Sequence, residues 1–182
     1  MELMEAIRGR RAVRNYVPTP IAPETLKRLV DAAIQAPSAI NAQPWHFTVI
    51  RNGASLDRIS HAAKAHMLRI IATDRPMREH LEDPHFHIFY HAPALILISA
   101  RDVDWASEDA ALAAENLMLV ACAEGLGSCW IGFAQRWLET EEGRRTVGLP
   151  EGYIPVAPII VGLPREAPLP VPRNPPTIHW LD

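Results

Sequence analysis

Apolar positions along the chain fall into alternating helical and extended spacings. Leu3, Met4 and Ile7 open with a short helical pattern. Leu26, Leu29, Val30, Ala33 and Ile34 form one stripe at helical spacing, and the pattern predicts a helix beginning at Pro23, where a fixed φ suits the first position. Glu24 suits its positive end, and Pro37 is placed to stop it. Residues 47–50 read as a strand. After an Asn52-Gly53 turn, Leu56, Ile59, Ala63, Met67, Ile70 and Ile71 predict a second long helix. Residues 73–87 are charged, contain Pro76 and Pro84, and predict an irregular surface segment, a candidate lid. The unbroken apolar run at 94–99 predicts a strand buried on both faces.

Residues 109–124 form the most apolar helical pattern, interrupted by Glu115 and Asn116. Such a helix belongs at the centre of a domain or between two subunits. The segment 125–132 ends it with glycines, which stop helices and let backbone approach a ligand. We do not read it as a G-x-G-x-x-G fingerprint, because it is not expected to open a helix after a strand. A further helix is predicted near 139–146 and a last strand at 153–161. Six prolines then hold 164–176 extended. Strands alternating with helices predict an α/β or α+β domain with helices on both faces of one sheet. No internal repeat or domain boundary breaks residues 1–182, with an extended arm from about 164.

Composition narrows the class. The chain has 182 residues, enough for one sizeable core, and 48 % of them are hydrophobic. A net charge of −3 argues against a nucleic-acid partner. The charged start (Glu2, Glu5, Arg8) does not read as a signal peptide, and the run at 92–98 is too short to span a bilayer. Cys122 and Cys129 make no disulfide framework and read as buried thiols in a reducing cytoplasm. There is no G-x-S-x-G elbow, P-loop or H-E-x-x-H pattern.

Three stretches carry candidate chemistry. Arg10, Arg11 and Arg14 lie within five residues; guanidinium forks suit phosphate, and a solvated basic turn is the plainer alternative. Ser38, Asn41 and Gln43 sit between Pro37 and Pro44. Two amides in a stiffened turn suit the donor and acceptor edge of a heterocycle, whereas Ser and Asn bonding their own backbone would make a simple connection. His85, His87 and His91 are close enough in sequence for a zinc site, the first two sharing a face if the segment were a strand, against ordinary packing histidines.

Together, Arg10-Arg11-Ala12-Val13-Arg14, Pro37-Ser38-Ala39-Ile40-Asn41-Ala42-Gln43-Pro44-Trp45, the segment 125–132 and Pro172-Arg173 resemble, in order, the signatures of FMN-dependent nitroreductases. The resemblance implies an α+β three-layer sandwich with a central mixed sheet, in an intertwined homodimer holding FMN at its interface. It gives Arg10, Arg11 and Arg173 to the phosphate, and Arg14 to the pyrimidine end of the flavin. Asn41 and Gln43 would bond the flavin edge beside Ser38, and backbone at Ile131 and Gly132 would pass near N5. Ala12 stands where that family usually has a serine, so a phosphate-bonding hydroxyl is missing. The implied reaction passes hydride from NADH or NADPH through flavin N5 to a nitroaromatic, quinone or similar acceptor by a ping-pong route. No protein nucleophile is needed; Trp130, Phe133 and residues 85–90 are candidate pocket walls, with core packing the plainer role for any one of them. A flavin carrier or sensor without turnover is the alternative, and a zinc enzyme on the three histidines a third.

Overall fold

The computed structural model describes residues 1–72 and 77–181. In chain order the helices are α1 Leu3–Gly9, α2 Pro23–Ala33, α3 Gly53–Ile70, α4 Met77–Glu82, α5 Ala106–Ala123, α6 Gly132–Leu138 and α7 Glu141–Thr146. The strands are β1 Trp45–Ile50, β2 Ala94–Arg101, β3 Gly127–Trp130 and β4 Tyr153–Gly162. They form one sheet in the order β1-β2-β4-β3.

Helices cover both faces, as the unbroken apolar run of β2 requires. Ile96, Ile98 and Ala100 point into a core shared with α2 and α5; Leu95 and Leu97 point into a second core with α3 and α6. The fold is thus an α+β three-layer sandwich. All its ladders are antiparallel. The expected mixed sheet is corrected accordingly: the parallel component among the described residues is a single bridge, Ala12 to Ser128. No helix among the described residues is long and apolar enough to cross a membrane.

Two local outcomes differ from the sequence pattern. Part of the irregular segment, 77–82, is helix α4, while residues 73–76 lie outside the described residues. Helix α6 was not anticipated, although Phe133, Ala134, Trp137 and Leu138 have helical spacing. Its start follows from Pro158. The Ile131 N–H donates to the Pro158 carbonyl, 2.8 Å, so that residue's backbone polar side faces β3. Proline has no N–H to offer there. The ladder ends at the Trp130–Ile159 pair, and the chain turns into α6 at Gly132. The segment therefore does open a helix after a strand, though without the G-x-G-x-x-G spacing.

The arginine turn is seated on the far edge of the sheet by two glycines. Gly127 and Gly162 are register partners on β3 and β4. A methyl on Gly127 would come within 2.7 Å of Val13 Cβ; one on Gly162 would come within 2.7 Å of the Tyr16 ring and of Pro93. The Val13 N–H donates to the Ser128 carbonyl (3.0 Å), and the Tyr16 hydroxyl donates to the Val13 carbonyl (2.6 Å). Burial is the main cause of the raised Tyr16 pKa, so this phenol keeps its proton to donate. Of the glycines in segment 125–132, Gly127 thus admits Val13 rather than a ligand.

Gly127→Ala should lower stability by about 1–3 kcal/mol, because Val13 is held by backbone bonds and cannot withdraw freely. Gly53→Ala, where a methyl meets nothing within 4 Å, should be neutral or stabilising by about 0.5–1 kcal/mol. Urea midpoints at unchanged m-value would read both; equal midpoints for the two variants would contradict the tight seat.

Candidate functional site

The arginine turn presents its guanidinium groups unequally. The Nε of Arg10 is engaged by Glu115 of α5 at 3.1 Å. Arg11 donates from Nη1 to the Arg10 carbonyl at 2.7 Å, while its Nε is buried with no partner among the described residues. A buried guanidinium donor left unmatched is costly, and an anion would satisfy it. Arg11, Ala12 and Arg14 line a cavity of about 370 Å³ with Glu166, Pro168 and Leu169 of the C-terminal arm. The arm is anchored at its root, where Arg165 donates to the Asn15 side chain and the Tyr16 carbonyl. Val171 also lines this cavity; Arg173, two residues further on, is exposed and does not. The arm therefore passes the arginine turn of its own chain before it reaches Arg173.

Arg14 also lines a second cavity, of about 300 Å³, with Met67, Met77, Tyr90, Ile131 and Gly132. Its guanidinium carbon lies 6.0 Å from the Tyr90 ring centroid. Phe86 packs edge-on against Tyr90 at 5.6 Å and against Phe133 at 6.0 Å, so one wall is aromatic. Cys129 lines the same cavity, but burial pushes its thiol up and away from thiolate. The cavity offers a cation, an aromatic wall and the backbone end of β3.

Ser38, Asn41 and Gln43 lie elsewhere and line neither cavity. Their loop leads into β1, whereas Ala12 bridges to β3. Those strands are the two edges of the sheet, three spacings or roughly 14 Å apart. Within the loop, Ser38 Oγ accepts from the Gln43 N–H (2.9 Å) and Gln43 Nε2 donates to Asn41 Oδ1 (3.1 Å), the local bonding a connection would have. A short 3₁₀ turn spans Ala39–Asn41, and buried Asp109 of α5 accepts from the Ala39 N–H at 3.0 Å. Yet Ile40, Asn41 and Gln43 all have positive φ, 49°, 56° and 47°. Ile40 is 99 % exposed, a β-branched residue held in a strained conformation with nothing packed on it.

The histidines regroup. His85, His87 and His91 belong to a turn region rather than a strand, and the ligand atoms that converge within 4.8 Å are those of Asp57, His87 and His91. His87 Nδ1 accepts from the Phe89 N–H at 3.2 Å, which places its proton on Nε2, 3.1 Å from Asp57 Oδ1. A metal on Nε2 would need that proton on Nδ1, facing another N–H. Burial and then His91 lower the His87 pKa, consistent with this neutral, hydrogen-bonded ring. The bonding is that of a histidine fixing a turn.

Met67, Met77 and Cys129 were not anticipated as cavity walls. Met67 carried only a core signal on its helix, and Met77 lay in a segment read as irregular. Trp130 and Phe133 do reach the wall, as does Tyr90 from the 85–90 segment.

The Nitroreductase family model matches residues 7–163. A protein of Methanothermobacter thermautotrophicus, provisionally named NADH dehydrogenase/NAD(P)H nitroreductase, is 30 % identical over 173 residues, covering 92 % of this chain and 80 % of that protein. An NADH dehydrogenase of Thermus thermophilus is 29 % identical over 193 residues, covering 91 % and 88 %. A solved nitroreductase with bound FMN from Bacteroides fragilis matches with a TM-score of 0.87 and 29 % identity over 100 % of both chains. A family model spanning most of the chain, a relative of this identity and coverage, and the three-layer fold agree that the chain belongs to the nitroreductase family.

Proposed function

We propose that this protein is an FMN-dependent oxidoreductase that takes electrons from NADH or NADPH and reduces a small conjugated acceptor, a nitroaromatic or a quinone. One observation carries the reading. Arg14 lines both a cavity that Arg11, whose buried Nε has no partner among the described residues, also lines and an aromatic-walled cavity at Ile131–Gly132. A ligand with a phosphate at one end and a planar ring at the other matches that pair, and FMN is bound in the B. fragilis relative.

In this reading Arg11 holds the phosphate, joined by the free guanidinium nitrogens of Arg10 and by Arg173 from the arm. Arg14 lies at the pyrimidine end of the ring, where its charge favours the reduced, more negative form. Ile131 and Gly132 supply backbone at the ring's reactive edge, and Phe86, Tyr90 and Phe133 exclude water from that wall. Ala12 offers no hydroxyl. FMN, when bound, supplies the hydride acceptance and donation that link nicotinamide to acceptor.

The same reading makes the protein a homodimer. Ser38, Asn41 and Gln43 stand at the opposite sheet edge from the arginine turn, so a second copy is the natural source of these amides for one FMN. The strained Ile40 and the exposed Trp105 and Leu112, near the Asp109 tie on α5, form an apolar surface for that copy. Beyond Arg173 the arm ends in exposed Ile178, Trp180 and Leu181, which an arm lying across a partner would bury. Residues 1–182 then act as one FMN-binding unit with an arm.

The purified protein should be yellow and bind FMN more tightly than FAD, since FAD lacks a terminal phosphate monoester; titration checks this, and equal or tighter FAD binding counts against the site. Steady NAD(P)H oxidation with a quinone separates turnover from a flavin carrier, which would pass its electrons once and stop.

Arg14→Ala should make bound FMN harder to reduce, read by spectroelectrochemistry. Asn41→Ala should weaken FMN by roughly 1–3 kcal/mol if it leaves a buried group unpaired. An unchanged potential in the first variant removes Arg14 from the ring.

Truncation after Pro164 should release FMN and destabilise the dimer, whereas Arg173→Ala should weaken FMN and leave the dimer intact. Light scattering and flavin content measure both; a truncated dimer with full FMN refutes the role of the arm.

A further inference from the structure

The turn that carries Tyr90 is held in a conformation its residues do not favour. Tyr90 and His91 are consecutive non-glycine residues at φ 50° and 53°. Left-handed backbone at bulky residues persists only where the surroundings over-determine it. Here α3 supplies much of the restraint. Ser60 Oγ accepts from the Ile88 N–H at 3.1 Å, the Lys64 ammonium donates to the Asp83 and Phe86 carbonyls, and Asp57 meets His87. Within the turn, the Tyr90 N–H donates to the His87 carbonyl (2.8 Å) and the Ala92 N–H to the Phe89 carbonyl (2.9 Å). Ile88 and Phe89 are fully buried beneath it.

This restraint delivers one side chain to the cavity wall, and that side chain meets Arg14. Arg14 is exposed and makes no ion pair among the described residues. A long cation without a carboxylate partner samples many rotamers. The Tyr90 ring, 6.0 Å from its guanidinium carbon, is within cation–π reach, and Phe86 braces that ring edge-on. A carboxylate in the same place would fix Arg14 but cancel its charge; a neutral ring fixes it and leaves the charge in force.

We propose that Tyr90 is a positioning residue for Arg14: its ring holds the guanidinium at the wall of the cavity that both residues line, so that the cation's field falls on a ring bound at Ile131–Gly132. The inference rests on the FMN reading given above and adds to it a residue that acts through Arg14 rather than on the acceptor.

The test is the reduction potential of bound FMN in the full-length holoprotein, in the wild type, Arg14→Ala, Tyr90→Leu, Tyr90→Phe and the Arg14→Ala/Tyr90→Leu double variant. Tyr90→Leu should make the flavin harder to reduce, in the same direction as Arg14→Ala. Tyr90→Phe, which keeps the ring, should stay at the wild-type potential. The double variant should shift no further than Arg14→Ala alone. Should Tyr90→Leu fold poorly by circular dichroism, Tyr90→Met makes the same comparison with a flexible side chain of similar bulk. A wild-type potential in the Leu or Met variant, a shifted one in Tyr90→Phe, or fully additive shifts in the double variant would overturn the positioning role. If Arg14→Ala itself leaves the potential unmoved, the placement of Arg14 against the flavin fails first, a result distinct from failure at Tyr90 alone.

Discussion

The close approach of the arginine turn to the sheet is the constraint on which the site depends. A glycine faces a glycine across β3 and β4, and the missing side chains leave a flat recess. Val13 and Tyr16 occupy it, fixed by the bonds to the Ser128 carbonyl and the Val13 carbonyl. Three arginines within five residues would repel one another and wander on a free loop. Tied at Val13 and Tyr16, the backbone that carries them is fixed, and the unmatched Arg11 Nε is held in place before any anion arrives. Ordering that is met on folding does not have to be met again on binding.

Much of this architecture was legible in the sequence, and the failures are specific. The stripes of α2, α3 and α5 and the unbroken run of β2 announced helices on both faces of a sheet, because each pattern matches one kind of burial. The antiparallel ladders were not legible, since strand direction depends on where connections cross and not on local composition. Helix α6 was hidden because β3 and the helix share one apolar stretch, and the boundary is set by a proline on a different strand. At the site, the arginine turn and the Ile131–Gly132 segment could be paired only through family resemblance. Nothing in residue spacing says that Ala12 meets Ser128, 116 positions later by subtraction of their numbers.

The Ser38–Gln43 loop carries a tension that one chain does not resolve. Its polar groups are bonded to one another, as in an ordinary connection, yet its backbone is strained and Ile40 packs against nothing. Folding tolerates such a loop because Asp109 clamps it from α5. The arm shows the converse arrangement: its prolines limit the freedom it would lose on docking, and its apolar groups lie at the far end. Both features place surface demand outside the core, where a second surface can meet it without disturbing the layers beneath.

Pro158 has a consequence for how this fold tolerates change. By withholding one donor it acts as a ruler, marking the residue at which β3 must leave the sheet. Residues added between α5 and β3 would be taken up in the preceding loop, and the departure point opposite Pro158 would stay where it is. Length variation upstream is thereby insulated from the backbone at Ile131 and Gly132, so that segment can keep its aim while its surroundings drift.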